Sequence, residues 1–185
     1  CAAGMVADAE VNAPYDDTAA LRAFAESCDV VTLEFENIPA TAIEAIEAAG
    51  PRVHPGAEVL AICQNRRREK DFLRRAGFPC ADYRVAASPG EAAAAARELD
   101  GPCGLKTAAF GYDGKGQARL GSAEEAEAAW AAVGAEACVV EKWIPFEREC
   151  SVICARNATG ETACFPMSEN LHRNHILDTS IVPAR

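Results

Sequence analysis

The stretch "GLKTAAFGYDGKGQARL", residues 104–120, decides how this chain is read. A lysine closes a short apolar run, and Gly111, Gly114 and Gly116 follow in a loop that also carries Asp113 and Lys115. A buried core excludes two lysines and an aspartate, and a solvated surface has no need of three closely spaced glycines. A lysine at a strand end followed by a glycine loop suits a polyphosphate. Without Cβ atoms the loop's N–H groups can approach phosphate oxygens, and Lys106 adds a point charge. The spacing is G-x-x-G-x-G, which is neither G-x-x-x-x-G-K-[ST] nor G-x-G-x-x-G. A plain hairpin turn between "CGLKT" and "QARL" explains the glycines equally well, so on them alone both readings stand.

Working outward, apolar runs alternate with helical patterns, which predicts an α/β fold. Residues 17–27 predict a helix with Leu21 and Phe24 inward, and "DVVTLEF" (29–35) predicts a strand. "TAIEAIEAA" (41–49) predicts a helix with Ile43 and Ile46 inward, closed by Gly50-Pro51. "NRRREKDFLRRA" is helical as far as Gly77. In "SPGEAAAAAREL" Ser88 can cap, Pro89 fits the first helical position and Glu91 completes a capping box. Strands follow at "CGLKT" and "QARL", then a second capping box at Ser122 and Glu125 opens a helix over 123–133. "ACVVEKWI" is a further strand, and "ECSVICARN" with "GETACFPM" predicts an antiparallel hairpin turning at 157–160. "TSIVPAR" is a last strand. The pattern changes character near residue 60, dividing the chain into 1–60 and 61–185.

The 185 residues are half hydrophobic, which excludes a disordered chain. A net charge of −10 argues against a broad nucleic-acid surface, though not against one small anion held by local cations. No apolar run approaches the ~18 residues of a membrane span, and no basic-then-apolar start resembles a signal peptide. The nine cysteines contain no C-x-x-C pair, and Cys150 and Cys154 fall on one face of a strand. They are expected to be free, buried thiols and not a zinc site. Glu141 ends a strand and Glu149 lies eight residues on. Each alone suits solvated surface. Together with the extended segment between them they can offer backbone groups to a purine edge and carboxylates to hydroxyls.

Read together, "YDDTAAL", "CDVVTLEFENIP", "GYDGKGQ", "EKWIPFERECS" and "NLHRNHILDTSIVPAR" resemble the ATP-grasp superfamily along nearly the whole chain. Within it they resemble the 5-(carboxyamino)imidazole ribonucleotide synthases of purine biosynthesis. The resemblance implies a partial ATP-grasp fold over 61–185, with a lid at about 103–141. Part of a Rossmann-like pre-ATP-grasp domain would precede it over 1–60. It assigns ATP contacts to Arg66, Lys106, Gly111, Tyr112, Asp113, Gly114, Lys115, Gly116 and Gln117. It adds the hinge Glu141, Lys142, Trp143 and Ile144, the ribose acid Glu149, and His172. Lys106, Tyr112, Asp113 and Lys115 would be catalytic, the last three also facing the second substrate. The family often has Arg at position 115, and Lys keeps the charge but loses the bidentate fork. Arg67 and Arg68 suit a solvated helix face. Glu34 and Glu36 either approach the substrate ribose or merely end their strand.

The reaction implied uses ATP and Mg²⁺ to activate bicarbonate and carboxylate 5-aminoimidazole ribonucleotide, releasing ADP and phosphate. A cytoplasmic homodimer without nucleic-acid or membrane partners is expected. The chain is further expected to be an internal fragment, starting inside the first domain and ending before the metal carboxylates. It would then hold no metal ligand and be inactive alone. Two alternatives are another ATP-grasp ligase, of the formate-using glycinamide ribonucleotide transformylase or biotin carboxylase type, and a non-catalytic nucleotide-binding remnant.

Overall fold

Asp17 starts the first helix: its carboxylate accepts the Ala20 N–H at 3.0 Å, and α1 runs Thr18–Glu26. The structure is a computed structural model that describes residues 2–109, 116–133, 137–174 and 176–185. It divides into a first unit of residues 1–80 and a second of 81–185.

In the first unit α1 is followed by β1 (Val30–Thr32), α2 (Ala40–Ala49), β2 (Arg52–His54), α3 (Ala57–Cys63) and α4 (Arg66–Arg75). β1 and β2 pair in parallel with Val31 opposite Val53, the arrangement an alternating strand–helix pattern predicts. Ile43 and Ile46 are buried as expected, in a cluster with Ala25, Val31, Val53 and Leu60. On α1 the inward stripe is half-buried Leu21 and buried Ala25, four residues apart, so Phe24 falls beside it and stays exposed. The strand predicted over 29–35 stops at Thr32. Beyond it the Gln64 amide donates to the Ile38 carbonyl at 2.6 Å and also to that of Glu36, so a side chain takes the place of a ladder. Asn65 caps α4 by accepting from the Arg67 and Arg68 N–H groups. Gly77 follows the helix at φ +79°, the left-handed conformation glycine adopts without strain.

The second unit contains β3 (Tyr83–Ala86), α5 (Pro89–Leu99), β4 (Cys103–Thr107), β5 (Gln117–Leu120), α6 (Ala126–Val133) and β6 (Cys138–Lys142). The four strands form an antiparallel sheet in the order β3-β6-β4-β5. Strand alternation sends Cys103, Leu105, Leu120, Cys138 and Val140 to one face, where Ala92, Ala95, Ala96, Leu99, Ala126 and Ala129 of α5 and α6 cover them. Ser88 caps α5 by accepting the Glu91 N–H, while the Glu91 carboxylate accepts the Ala87 N–H at 2.8 Å. Ser122 does not cap its helix, contrary to expectation. Its hydroxyl bonds the Glu124 carboxylate, holding that acid below its usual range, and the segment opens as a 3₁₀ turn at Ala123–Glu125.

Five further strands complete the unit: β7 (Glu149–Ser151), β8 (Cys154–Arg156), β9 (Thr162–Cys164), β10 (Ser168–Arg173) and β11 (Ile176–Ile181). β10 lies between β7 and β11, antiparallel to both, and β8-β9 is a separate hairpin. The long first strand predicted for the hairpin is therefore two strands, because Glu149–Ser151 pairs with β10 while Cys154–Arg156 pairs with β9. The cysteines also depart from expectation. Cys103 and Cys138 are buried, which pushes their thiol pKa values up, whereas Cys63, Cys150, Cys154 and Cys164 are exposed. The last three sit on strands that lie outside both apolar clusters. Among the described residues no helix is long and apolar enough to cross a membrane.

Candidate functional site

The face of the four-stranded sheet turned away from α5 and α6 carries the polar side chains of β4, β5 and β6 that line a cavity: Lys106, Gln117, Arg119 and Glu141. In β4 the pattern Cys-Gly-Leu-Lys-Thr places Gly104 and Lys106 on this face, and the register sets Gln117 opposite Lys106 and both Arg119 and Glu141 opposite Gly104. A cavity of ≈ 560 Å³ opens over them, lined also by Lys142, Trp143, Ile144 and Phe146. That volume lies in the range of small-molecule sites, ~300–1,000 Å³.

Lys106 Nζ donates to Glu141 Oε2 at 2.9 Å, with the two side chains 31% and 13% exposed. A cation thus stands at the inner end of the cavity beside a carboxylate on the adjacent strand. Beyond β6 the chain leaves the sheet and makes a tight turn at Pro145. The Trp143 N–H donates to the Pro102 carbonyl at 2.8 Å and the Phe146 N–H to the Ile144 carbonyl at 2.9 Å. The Arg119 guanidinium lies 4.7 Å from the centroid of the Trp143 ring, a cation–π contact that holds the indole at the rim.

A second cavity of ≈ 790 Å³ shares Gln117 and Phe146 with the first and is lined by Glu149, Glu169, Asn170 and His172. β7 and β10 position its acceptors. Glu149 stands opposite Asn170 in the ladder, the Asn170 amide approaches Glu149 Oε1 at 3.5 Å, and His172 Nδ1 lies 3.6 Å from the same oxygen. On its far wall Glu169 is buried and receives the Arg185 guanidinium in a two-pronged contact, Nε and Nη2 each at 3.2 Å. The guanidinium holds the Glu169 carboxyl below its usual range.

The structure therefore gathers Lys106, Gln117, Glu141, Lys142, Trp143 and Ile144 around one cavity and Glu149 and His172 around the adjoining one. Gly116 enters the loop at φ +67°, and its carbonyl accepts the Thr107 N–H at 2.8 Å. A Cβ there would meet Thr107 side-chain atoms at 2.8 Å, so glycine is required at the base of the loop. Gly111, Tyr112, Asp113, Gly114 and Lys115 lie outside the described residues. Arg66 belongs to the first unit, where it is the first residue of α4 and half-buried, and Glu34 and Glu36 are exposed just past β1. Arg119, Phe146 and Glu169 also line the cavities but were missed in the sequence. Two-residue alternation from Gln117 would have found Arg119, whereas Glu169 gives no local signal because its partner lies 16 residues away. Among the described residues no three His, Cys, Asp or Glu side chains cluster to hold a metal ion.

Comparison with known proteins gives the same picture at the level of whole domains. The ATP-grasp domain matches residues 71–185, and the ribonucleotide synthetase preATP-grasp domain matches residues 1–64. The N5-carboxyaminoimidazole ribonucleotide synthase of Bacillus subtilis (strain 168) is 42% identical over 182 residues, 98% of this chain and 48% of that protein. The crystal structure of N5-carboxyaminoimidazole synthetase from Staphylococcus aureus complexed with ADP has a TM-score of 0.92 at 32% identity, covering 100% of this chain and 49% of the other. That of N5-carboxyaminoimidazole synthase from Aspergillus clavatus, in complex with ADP and 5-aminoimidazole ribonucleotide, has a TM-score of 0.86 at 26% identity, with coverage of 99% and 48%. The chain spans about half the length of the curated relatives it matches.

Proposed function

The chain belongs to the ATP-grasp family, and on that premise we propose that it serves the ATP-dependent carboxylation of 5-aminoimidazole ribonucleotide by bicarbonate, a step of purine synthesis. The observation that carries this reading is the convergence of Lys106, Gln117, Glu141 and the Lys142–Ile144 segment on one cavity, joined through Gln117 and Phe146 to the cavity of Glu149 and His172. The relatives solved with ADP, and with ADP and 5-aminoimidazole ribonucleotide, support it.

In this reading the adenine rests against Trp143 and Ile144, where exposed backbone and an aromatic rim meet. The ribose hydroxyls donate to Glu149 with His172 beside it, and the phosphates reach Lys106. The Lys106 ammonium balances charge that grows on the phosphoryl group as it passes to bicarbonate. Residues 111–117 close over the phosphates as a flap, Gly116 acting as its fixed base. Tyr112, Asp113 and Lys115 face the second substrate from that flap, and closure keeps water from the carboxyphosphate. The exocyclic amine of the ribonucleotide then attacks the activated carboxyl carbon, and phosphate leaves. The chemistry asks for no protein nucleophile. Mg²⁺ is the family's partner ion for ATP, and the described residues offer it no ligand cluster, so no step is assigned through it.

We assign residues 1–60 to the pre-ATP-grasp domain and 61–185 to the ATP-grasp domain, with the lid at about 103–141 and Arg66 as a further ATP contact. A cytoplasmic homodimer is part of the same proposal. The test measures ADP release by the natural full-length protein with bicarbonate and 5-aminoimidazole ribonucleotide. Release that requires both supports the reading. Release driven by formate with glycinamide ribonucleotide, or by biotin, would replace it with another ATP-grasp ligase.

A further inference from the structure

Cys154 and Cys164 stand directly opposite each other in the β8-β9 hairpin. The Asn157 N–H donates to the Glu161 carbonyl and the Phe165 N–H to the Ile153 carbonyl. Bonded and non-bonded pairs alternate along an antiparallel ladder, so counting inward from both ends makes 154/164 a non-bonded pair. Such pairs bring the α-carbons to about 4.5 Å, inside the range of roughly 4.4–6.8 Å that a disulfide spans. The two Sγ atoms are 2.8 Å apart and both cysteines are exposed.

The hairpin is held in this register by its own turn. Asn157 Oδ1 accepts from the N–H groups of Thr159 and Glu161 at 3.0 and 2.9 Å and from the Thr159 hydroxyl at 2.7 Å. The hydrogen bond to Cys164 pushes the Cys154 thiol above its ordinary range. Cys63 and Cys150 are also exposed, yet among the described residues neither has another cysteine within hydrogen-bonding reach.

We propose that Cys154 and Cys164 form a thiol–disulfide exchange site, which low-molecular-weight disulfides of the glutathione class convert to a cross-strand disulfide. One thiolate of the pair attacks a sulfur of glutathione disulfide, forming a mixed disulfide and releasing one glutathione thiolate. The second cysteine, deprotonated, attacks the protein sulfur of that mixed disulfide and releases the second glutathione. The protein dithiol loses two electrons and two protons, and glutathione disulfide gains them as two thiols. The bond closes the open end of the hairpin between β7, which carries Glu149, and β10, which carries His172.

The test reduces the natural protein, removes the reductant and equilibrates it with oxidised glutathione. Remaining thiols are then alkylated and the unreduced peptides mapped by mass. The expected result is a peptide linking Cys154 to Cys164 and short of two hydrogens, whose two thiols are recovered on adding dithiothreitol, while exposed Cys63 and Cys150 carry at most single glutathione adducts. Cys154→Ser should leave Cys164 carrying a glutathione adduct that does not resolve, and Cys150→Ser should leave the link intact. Finding both cysteines alkylated, both carrying separate glutathione adducts, or either linked elsewhere would overturn the proposal. The wild-type map decides alone if a variant fails to fold.

Discussion

Replacing Lys106 by Met keeps the length of the side chain and removes its charge, so it isolates the phosphate contact. A charge-assisted hydrogen bond to phosphate contributes about 1.5–3 kcal/mol. Part of that is offset, because in the structure Lys106 is already engaged by Glu141 at 2.9 Å. With the two side chains 31% and 13% exposed, that pair is worth about 1 kcal/mol. If ATP draws the ammonium away from Glu141, the net gain is ~0.5–2 kcal/mol, or roughly twofold to thirtyfold in affinity. If Lys106 touches both partners at once, the upper part of the gross range applies. Calorimetric titration of ATP against wild type, Lys106→Met, Glu141→Gln and the double variant separates the two cases through the coupling energy. An unchanged dissociation constant for Lys106→Met would refute the placement of phosphate at this lysine.

Glu149→Gln should weaken ATP roughly tenfold while leaving 2′,3′-dideoxy-ATP nearly unaffected; equal losses for both nucleotides would remove Glu149 from the ribose. Gly116→Ala forces a Cβ to 2.8 Å from Thr107 at φ +67° and should cost about 1–3 kcal/mol in urea unfolding; wild-type stability would contradict it. Leu105→Ala empties a fully buried position under α5 and α6 and should cost about 2–5 kcal/mol by the same measurement. The Glu169 carboxyl is held below its ordinary range by the Arg185 guanidinium. Its folded pKa is depressed, so its contribution is present above the unfolded value and is lost as pH falls through the folded one. Glu169→Gln should therefore be less stable than wild type near neutrality. The gap should close as pH drops below 4.5, and a gap independent of pH would show that the charge is not responsible.

The parts of the fold that could be read from the sequence are those governed by neighbours in the chain. "CGLKT" alternates, so one face is apolar and the other carries Gly104 and Lys106, and β4 forms as read. Ser88 and Glu91 cap α5 because both partners lie within one turn of each other. Local reading failed where a distant partner decides. Val152 and Ile153 break the predicted strand because β7 belongs to β10 and β8 to β9. Phe24 and Ala25 compete for the same helical stripe, and the smaller residue is the one buried. The exposed cysteines of β7, β8 and β9 were misjudged because a strand of alternating small and apolar residues does not reveal whether a second layer covers it. Lys106 was read from its place before the glycine loop and the Glu141–Ile144 segment through the family resemblance, and both line the first cavity. Arg119 over Trp143 was not read, since that contact joins β5 to the chain beyond β6.

The most direct test of the central claim, that the 560 Å³ cavity is the nucleotide site, is photolabelling of the natural protein with an azido-adenine analogue of ATP. The label should enter a peptide containing Trp143, Ile144 or Phe146, and excess ATP should abolish it. Incorporation confined to other segments, or labelling at the hinge that ATP does not displace, would contradict the account.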